Sequence, residues 1–268
     1  MLALRQGRPD EAERLAAAVL QANPSAILAA QLLGQALLLL HRPGEAIEPL
    51  RSAAQRSHDP ATETLLARAL AAAGREDEAF DQLRRTTARR PAFALAFLEL
   101  GDQLGDGGRV EEAIAAFERG LELAPDAEVL RVGLGHLHLK RNDRARARAL
   151  FAQAHAASPD RHDAAVALAR AMALDGEYAG AAELYRSALE RRPEDAAARI
   201  GLGRCLLELG QRNAGEASLR VAMRTAPHAA GLAITALAAA AHGRLFLQPS
   251  AAAAFLRAQA GQGDRHQR

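Results

Sequence analysis

The sequence predicts an all-α fold, a solenoid of tandem helix–turn–helix repeats, and three observations carry that prediction. Pro91, Pro125, Pro159, Pro193 and Pro227 stand 34 residues apart, and Pro24 extends the register toward the N-terminus. A fixed period of this size marks a stack of one supersecondary unit rather than a single conventional core. Hydrophobic residues make up 49% of the 268, yet aromatics are only 3% and much of the remainder is alanine. Alanine is the best helix former, and the residues that favour strands are scarce. Finally, small and large apolar residues recur at the same places in every period.

The elements follow in order. Residues 1–26 read as an N-terminal half repeat: 1–6 are the stub of a first helix, and 9–22 form its second helix with Ala12, Leu15 and Val19 facing inward. Six full units follow at 27–59, 60–93, 94–127, 128–161, 162–195 and 196–229, the first of them one residue short of the period. The clearest, 94–127, carries Phe97, Leu100, Gly101, Leu104, Ala113, Phe117, Gly120 and Pro125. Its first-helix positions fall at i, i+3, i+4 and i+7, which is one helix face. Gly or Ala at the eighth position of each unit (Gly34, Ala67, Gly101, Gly135, Ala169, Gly203) lets the partner backbone come close. Ala46, Ala79, Ala113, Ala147, Ala181 and Gly215 do the same from the second helix. Four places on, Leu50, Leu83, Phe117, Phe151, Tyr185 and Leu219 fill the next gap. Gly7, His41, Gly74, Gly108, Asn142, Gly176 and Gly210 end the first helices, and Gly and Asn tolerate the left-handed conformation that closes a helix. Two capping helices, 229–242 and 249–259, are expected to complete 230–260, and residues 261–268 read as a disordered tail.

This pattern resembles the tetratricopeptide repeat, a 34-residue helix–turn–helix. The resemblance covers nearly the whole chain, although Arg131, Ala165 and Arg199 stand where the family typically has Trp. It implies a right-handed superhelix whose first helices line a concave groove, and it implies a peptide held there by a protein-interaction scaffold or adaptor with no catalysis of its own. Fifth-position side chains would point into that groove: Gln31, Thr64, Leu98, Val132, Val166 and Ile200. Ninth-position side chains would stack on them one turn later: Gln35, Arg68, Asp102, His136, Arg170 and Arg204. Toward the C-terminus an apolar row thus accompanies a cationic or titratable one, which suits an acidic, partly apolar segment of a partner; the alternative is that these arginines only solvate an inner face. The family's chaperone-binding clamp needs Lys at the fifth and Asn at the ninth position, and no unit has that pair. Leu32, Leu65, Glu99, Gly133, Ala167 and Gly201 replace the asparagine ladder of its glycosyltransferase members.

Other chemistries find little support. His136 and His138 lie two apart on a helix and point to nearly opposite sides, so they do not make a metal site. Cys205 is alone, which excludes an internal disulfide, and no base accompanies it as a nucleophile. His162 and Asp163 begin a helix, where Asp is an ordinary residue. No cofactor motif, phosphate-cradling loop or G-x-S-x-G occurs. An RNA-binding helical repeat is weighed against by a net charge of only +2 and by the lack of groove aromatics. A regulatory or substrate-recruiting arm of a separately encoded transferase stays open. Lys140 is the single lysine. The N-terminus lacks an apolar signal core, and no run is long enough to span a bilayer, so the chain reads as cytoplasmic, without a membrane span.

Overall fold

The computed structural model describes residues 2–244 and 248–258. All regular structure among the described residues is helical. The chain divides into two compact units, Met1–Arg141 and Asn142–Arg268. In the first, the short α1 (Leu2–Arg5) precedes α2 (Pro9–Ala22), and three helix pairs follow. They are α3 (Ile27–Leu39) with α4 (Pro43–Ser57), α5 (Pro60–Ala72) with α6 (Glu76–Thr87), and α7 (Ala94–Asp106) with α8 (Val110–Leu123). The last helix of this unit is α9 (Glu128–Lys140). Each helix packs on its neighbours in sequence, and the first helices also touch in series, α3 to α5, α5 to α7 and α7 to α9.

The second unit opens with α10 (Arg144–Ala157) and continues with α11 (His162–Leu174) and α12 (Tyr178–Arg191), then α13 (Ala196–Glu208) and α14 (Arg212–Thr225). A 3-10 turn at Pro227–Ala229 leads into α15 (Ala230–Ala239), and α16 (Pro249–Arg257) packs on both α14 and α15. The helix expected over 229–242 is therefore shorter: it starts after the 3-10 turn and stops at Ala239, where the Gly243 N–H turns back to the Ala240 carbonyl. Residue 259 of the second expected capping helix, and the tail at 261–268, lie outside the described residues.

The hairpin turns follow from the residues that close the first helices. Gly7, His41, Gly74, Gly108, Asn142, Gly176 and Gly210 all have φ between +57° and +82°. In the turn after α5, the Arg75 N–H reaches back to the Leu70 carbonyl (2.9 Å) and the Gly74 N–H to that of Ala71 (2.9 Å). This is the helix-closing motif that satisfies carbonyls otherwise left without donors. Arg42, Arg109, Glu177 and Gln211 make the same five-residue return.

Packing within the pairs depends on large residues entering gaps left by small ones. Phe117 of α8 is fully buried between Gly101 of α7 and Gly133 of α9. A Cβ on Gly101 would stand 2.6 Å from its ring, and one on Gly133 would meet the ring equally closely. Leu50 fills the gap at Gly34, Leu219 that at Gly203, and Tyr185 of α12 that at Gly201 of α13. Truncating a buried aromatic of this kind to Ala costs about 3–5 kcal/mol.

The N-terminal pair departs from expectation. Ala12 and Ala16 of α2 are buried, but Leu15 and Val19 are 60% and 49% exposed. α1 is only four residues long against thirteen in α3, so the face of α2 bearing those two side chains has no first helix standing against it. No helix among the described residues is long and apolar enough to cross a membrane.

Candidate functional site

In the first unit, Gln35, Arg68, Asp102 and His136 are exposed at the ninth position of α3, α5, α7 and α9. Of the fifth-position residues, Leu98 is half-buried and Val132 is buried. Gln31 is engaged with Asp59 (2.8 Å) and Thr62 (2.8 Å), and the buried Thr64 hydroxyl donates to the Pro60 carbonyl (2.7 Å). Arg68 is already neutralised: its Nε donates across to Glu99 of α7 at 2.7 Å. Glu99 is buried and also accepts from Gln103 (3.0 Å). Beside them Asp102 lines a cavity of about 500 Å³ shared with Arg68, Phe80, Glu99, Gln103 and Asp106. Asp102 keeps solvent contact, yet the walls of that recess partly desolvate its carboxyl and push it up to about 6; Glu99 adds to the rise, Arg68 opposes it, and Asp106 adds further.

The second unit places Arg170 on α11, exposed, and Arg204 on α13, half-buried. Neither forms an ion pair or hydrogen bond among the described residues, a condition shared with Arg5, Arg14, Arg192, Arg224 and Arg257. Arg42, Arg75 and Arg109 pair with Glu45, Glu78 and Glu112 three residues on, Arg148 pairs with Glu177, and Arg191 pairs with Asp160. Val166 is half-buried and Ile200 is buried within the cluster formed with α14 and α15, so the apolar row contributes more to helix packing than to open surface. α11 and α13 are in contact, which makes their two arginines neighbours on adjoining first helices.

Both arginines act on a residue that sequence reasoning assigned only to packing. Tyr185 is 4% exposed. Burial pushes its phenol up to about 12; Cys205 adds to the rise, Arg204 and Arg170 act against it, and Asp195 adds further. The two guanidinium groups thus lie within electrostatic reach of one hydroxyl. A sequence signal did exist: Gly201, one residue past Ile200, is the small residue that allows the ring through.

The remaining candidates are structural in their surroundings. Cys205 is fully buried, and burial pushes its thiol up to about 11, opposite to what activates a nucleophile. The Asp163 carboxylate accepts from Arg161 (2.7 Å) and from the Ala164 N–H (2.9 Å). His138 is buried in α9, whereas His136 is exposed. Among the described residues no three His, Cys, Asp or Glu side chains converge as metal ligands would. At two of the positions where the family typically has Trp, arginine secures a turn: Arg199 donates to the Pro193 carbonyl (2.6 Å), and Arg131 to that of Pro125.

A tetratricopeptide repeat family model matches residues 106–173 and 172–240, together just over half of the chain. The chain belongs to the tetratricopeptide repeat family. A second model of the family matches residues 64–128, and a model described as anaphase-promoting complex, cyclosome, subunit 3 matches residues 5–86. Among curated proteins, this tetratricopeptide-repeat chain is 38% identical over 61 residues to small glutamine-rich tetratricopeptide repeat-containing protein 2 of Mycosarcoma maydis. That stretch is 23% of this chain and 17% of the relative. Among solved structures it resembles the APC/C hetero-tetramer Cut9-Hcn1, with a TM-score of 0.71 at 18% identity, covering 87% of this chain and 47% of that one. Pseudomonas aeruginosa pilF gives 0.64 at 19% identity, covering 82% and 94%. The human IFIT1 dimer with m7Gppp-AAAA gives 0.69 at 17%, covering 86% and 58%. At these identities the structural likenesses concern the fold.

Proposed function

We propose that the chain is a non-catalytic interaction scaffold that holds an acidic segment of a partner protein against the first helices α11 and α13. The observation that carries this reading is the pair Arg170 and Arg204: two guanidinium groups at the same place on adjoining first helices, neither held by a carboxylate. Guanidinium is permanently charged and matches carboxylate in a planar, two-pronged geometry, so an unmatched pair favours carboxylates from outside. Membership of a family built for protein contact supports the same class of partner. Arg68 serves such a peptide less well, since Glu99 already holds it.

The test uses a fluorescent peptide alternating Leu and Glu, its Leu/Gln counterpart and an RNA oligonucleotide of equal charge, each followed by anisotropy. The Leu/Glu peptide should bind, and added salt should weaken it. R170A/R204A should lose about tenfold or more in affinity, with helical circular dichroism unchanged. Equal binding by the double variant, or preference for the RNA, overturns the reading.

A further inference from the structure

The buried ring of Tyr185 carries a polar group that the packing of the fold does not need. In the repeats 94–127 and 128–161 of the sequence, the residues at the same place in the period are Phe117 and Phe151, both essentially fully buried. A phenyl ring therefore suffices to fill this position. Tyr185 adds a hydroxyl to a side chain that is 4% exposed, and that hydroxyl has no hydrogen-bond partner among the described residues. The ring is buried, but the hydroxyl oxygen at its end keeps contact with solvent and is open to a partner from outside.

The position of that hydroxyl gives it a use. Gly201 stands at the sixth place of α13, between Ile200 at the fifth and Arg204 at the ninth. Because Gly201 has no side chain, the end of the Tyr185 ring occupies the space beside it, with the hydroxyl oxygen 2.7 Å from where a Cβ would be. The ring thus passes from the second helix α12 to the first-helix face of α13. Its hydroxyl arrives within electrostatic reach of Arg170 and Arg204, which lack partners of their own. A phenol donates one O–H, and each guanidinium donates several N–H groups. Three donor side chains without hydrogen-bond partners thus stand near one place; the Asp195 carboxylate also acts on the phenol but is held by the Ala198 N–H and the His162 ring, so the donors are left to an oxyanion from outside.

We infer that Tyr185, Arg170 and Arg204 form a binding site for one side-chain carboxylate of a partner peptide, with the Tyr185 hydroxyl as the specificity-determining donor. The inference rests on the arginine reading above and adds to it a single anchoring point. The guanidinium groups attract any anion; the phenol, fixed by its buried ring, accepts only one that comes within hydrogen-bond distance of it.

The conservative variant Y185F keeps the ring and removes only the hydroxyl. Its melting temperature should not fall, because the hydroxyl has no structural partner to lose. Its affinity for the Leu/Glu peptide should drop about tenfold, and the Leu/Gln peptide should be unaffected. A second measurement needs no peptide. The chain has two tyrosines, Tyr178 and Tyr185, so labelling Tyr with carbon-13 at Cζ gives two resonances that Y185F assigns. Titration with acetate, against chloride at equal ionic strength, should shift the Tyr185 resonance and leave Tyr178 in place, and R170A/R204A should abolish the shift. A lower melting temperature in Y185F makes the hydroxyl structural and overturns the inference. A Tyr185 resonance indifferent to acetate, or responsive to inorganic phosphate alone, overturns it too. Loss of peptide binding in R170A/R204A with Y185F unaffected removes the Tyr185 role and leaves the arginine reading standing. Absence of peptide binding by the wild-type chain removes the arginine reading, and the acetate titration then decides the pocket by itself.

Discussion

Two aspartates of the first unit respond to folding with opposite sign. Asp59 caps α5: its carboxylate accepts the Thr62 N–H (3.0 Å), the Thr62 hydroxyl (2.7 Å) and the Gln31 amide from α3 (2.8 Å). Burial works to raise its pKa, but these bonds to the charged form outweigh it and hold the carboxyl below its ordinary value. Asp195 is held low in the same way by the Ala198 N–H and the His162 ring. A carboxyl lowered by folding stabilises the native state above its unfolded pKa and loses that contribution as pH falls through the folded value. Stability should therefore decline as pH drops below about 4. D59A should cost about 1 kcal/mol in urea unfolding at pH 7, with the gap closing near the acid limit. Asp102 does the reverse. Its pKa is raised to about 6, so it favours the native state most below the unfolded value, and that contribution is lost as pH rises through 6. D102N should raise the melting temperature at pH 8, and the gain should shrink at pH 5; an equal gain at both values would show that charge is not the cause.

The helix pair is the element that these residues build, and its geometry is strict where Gly meets an aromatic. Leu at Gly101 would have to displace Phe117, which is itself enclosed by Gly133. G101L should cost roughly 1–3 kcal/mol, measured as a shift in the urea midpoint. Much at this scale was legible in the sequence. All seven residues read as closing a first helix have positive φ, because Gly, Asn and His at a hairpin turn are tied to a local backbone requirement that needs no tertiary context. Leu15 and Val19 misled for the converse reason. Helical spacing identifies an apolar face, but burial requires a second helix opposite it, and α1 is too short to provide one. Tyr185 was hidden differently. Its place in the period explains the ring, and Gly201 marks a gap one helix on, but the linear pattern does not show that the far end of the ring fills that gap.

Across the whole molecule, stacked repeats spread stability over nearest-neighbour contacts rather than one core. The G101L variant should therefore accelerate amide hydrogen exchange in α7, α8 and α9 and leave α13 and α14 at wild-type rates; uniform acceleration throughout would contradict that picture. The family was legible because the 34-residue period holds even in the units where Arg131, Ala165 and Arg199 stand at the place typical of Trp. The candidate site was legible only as a ladder of positions. Which charges in that ladder are free depends on partners from other helices: Glu99 claims Arg68, while nothing among the described residues claims Arg170 or Arg204. Lys140, the chain's single lysine, donates its ammonium to the Gly105 carbonyl at 3.0 Å. It stands one residue before the division between the two compact units. An endoproteinase that cuts only after lysine has one internal target here. A single scission there divides the chain into residues 1–140 and 141–268, and its rate reports how often the last turn of α9 frays.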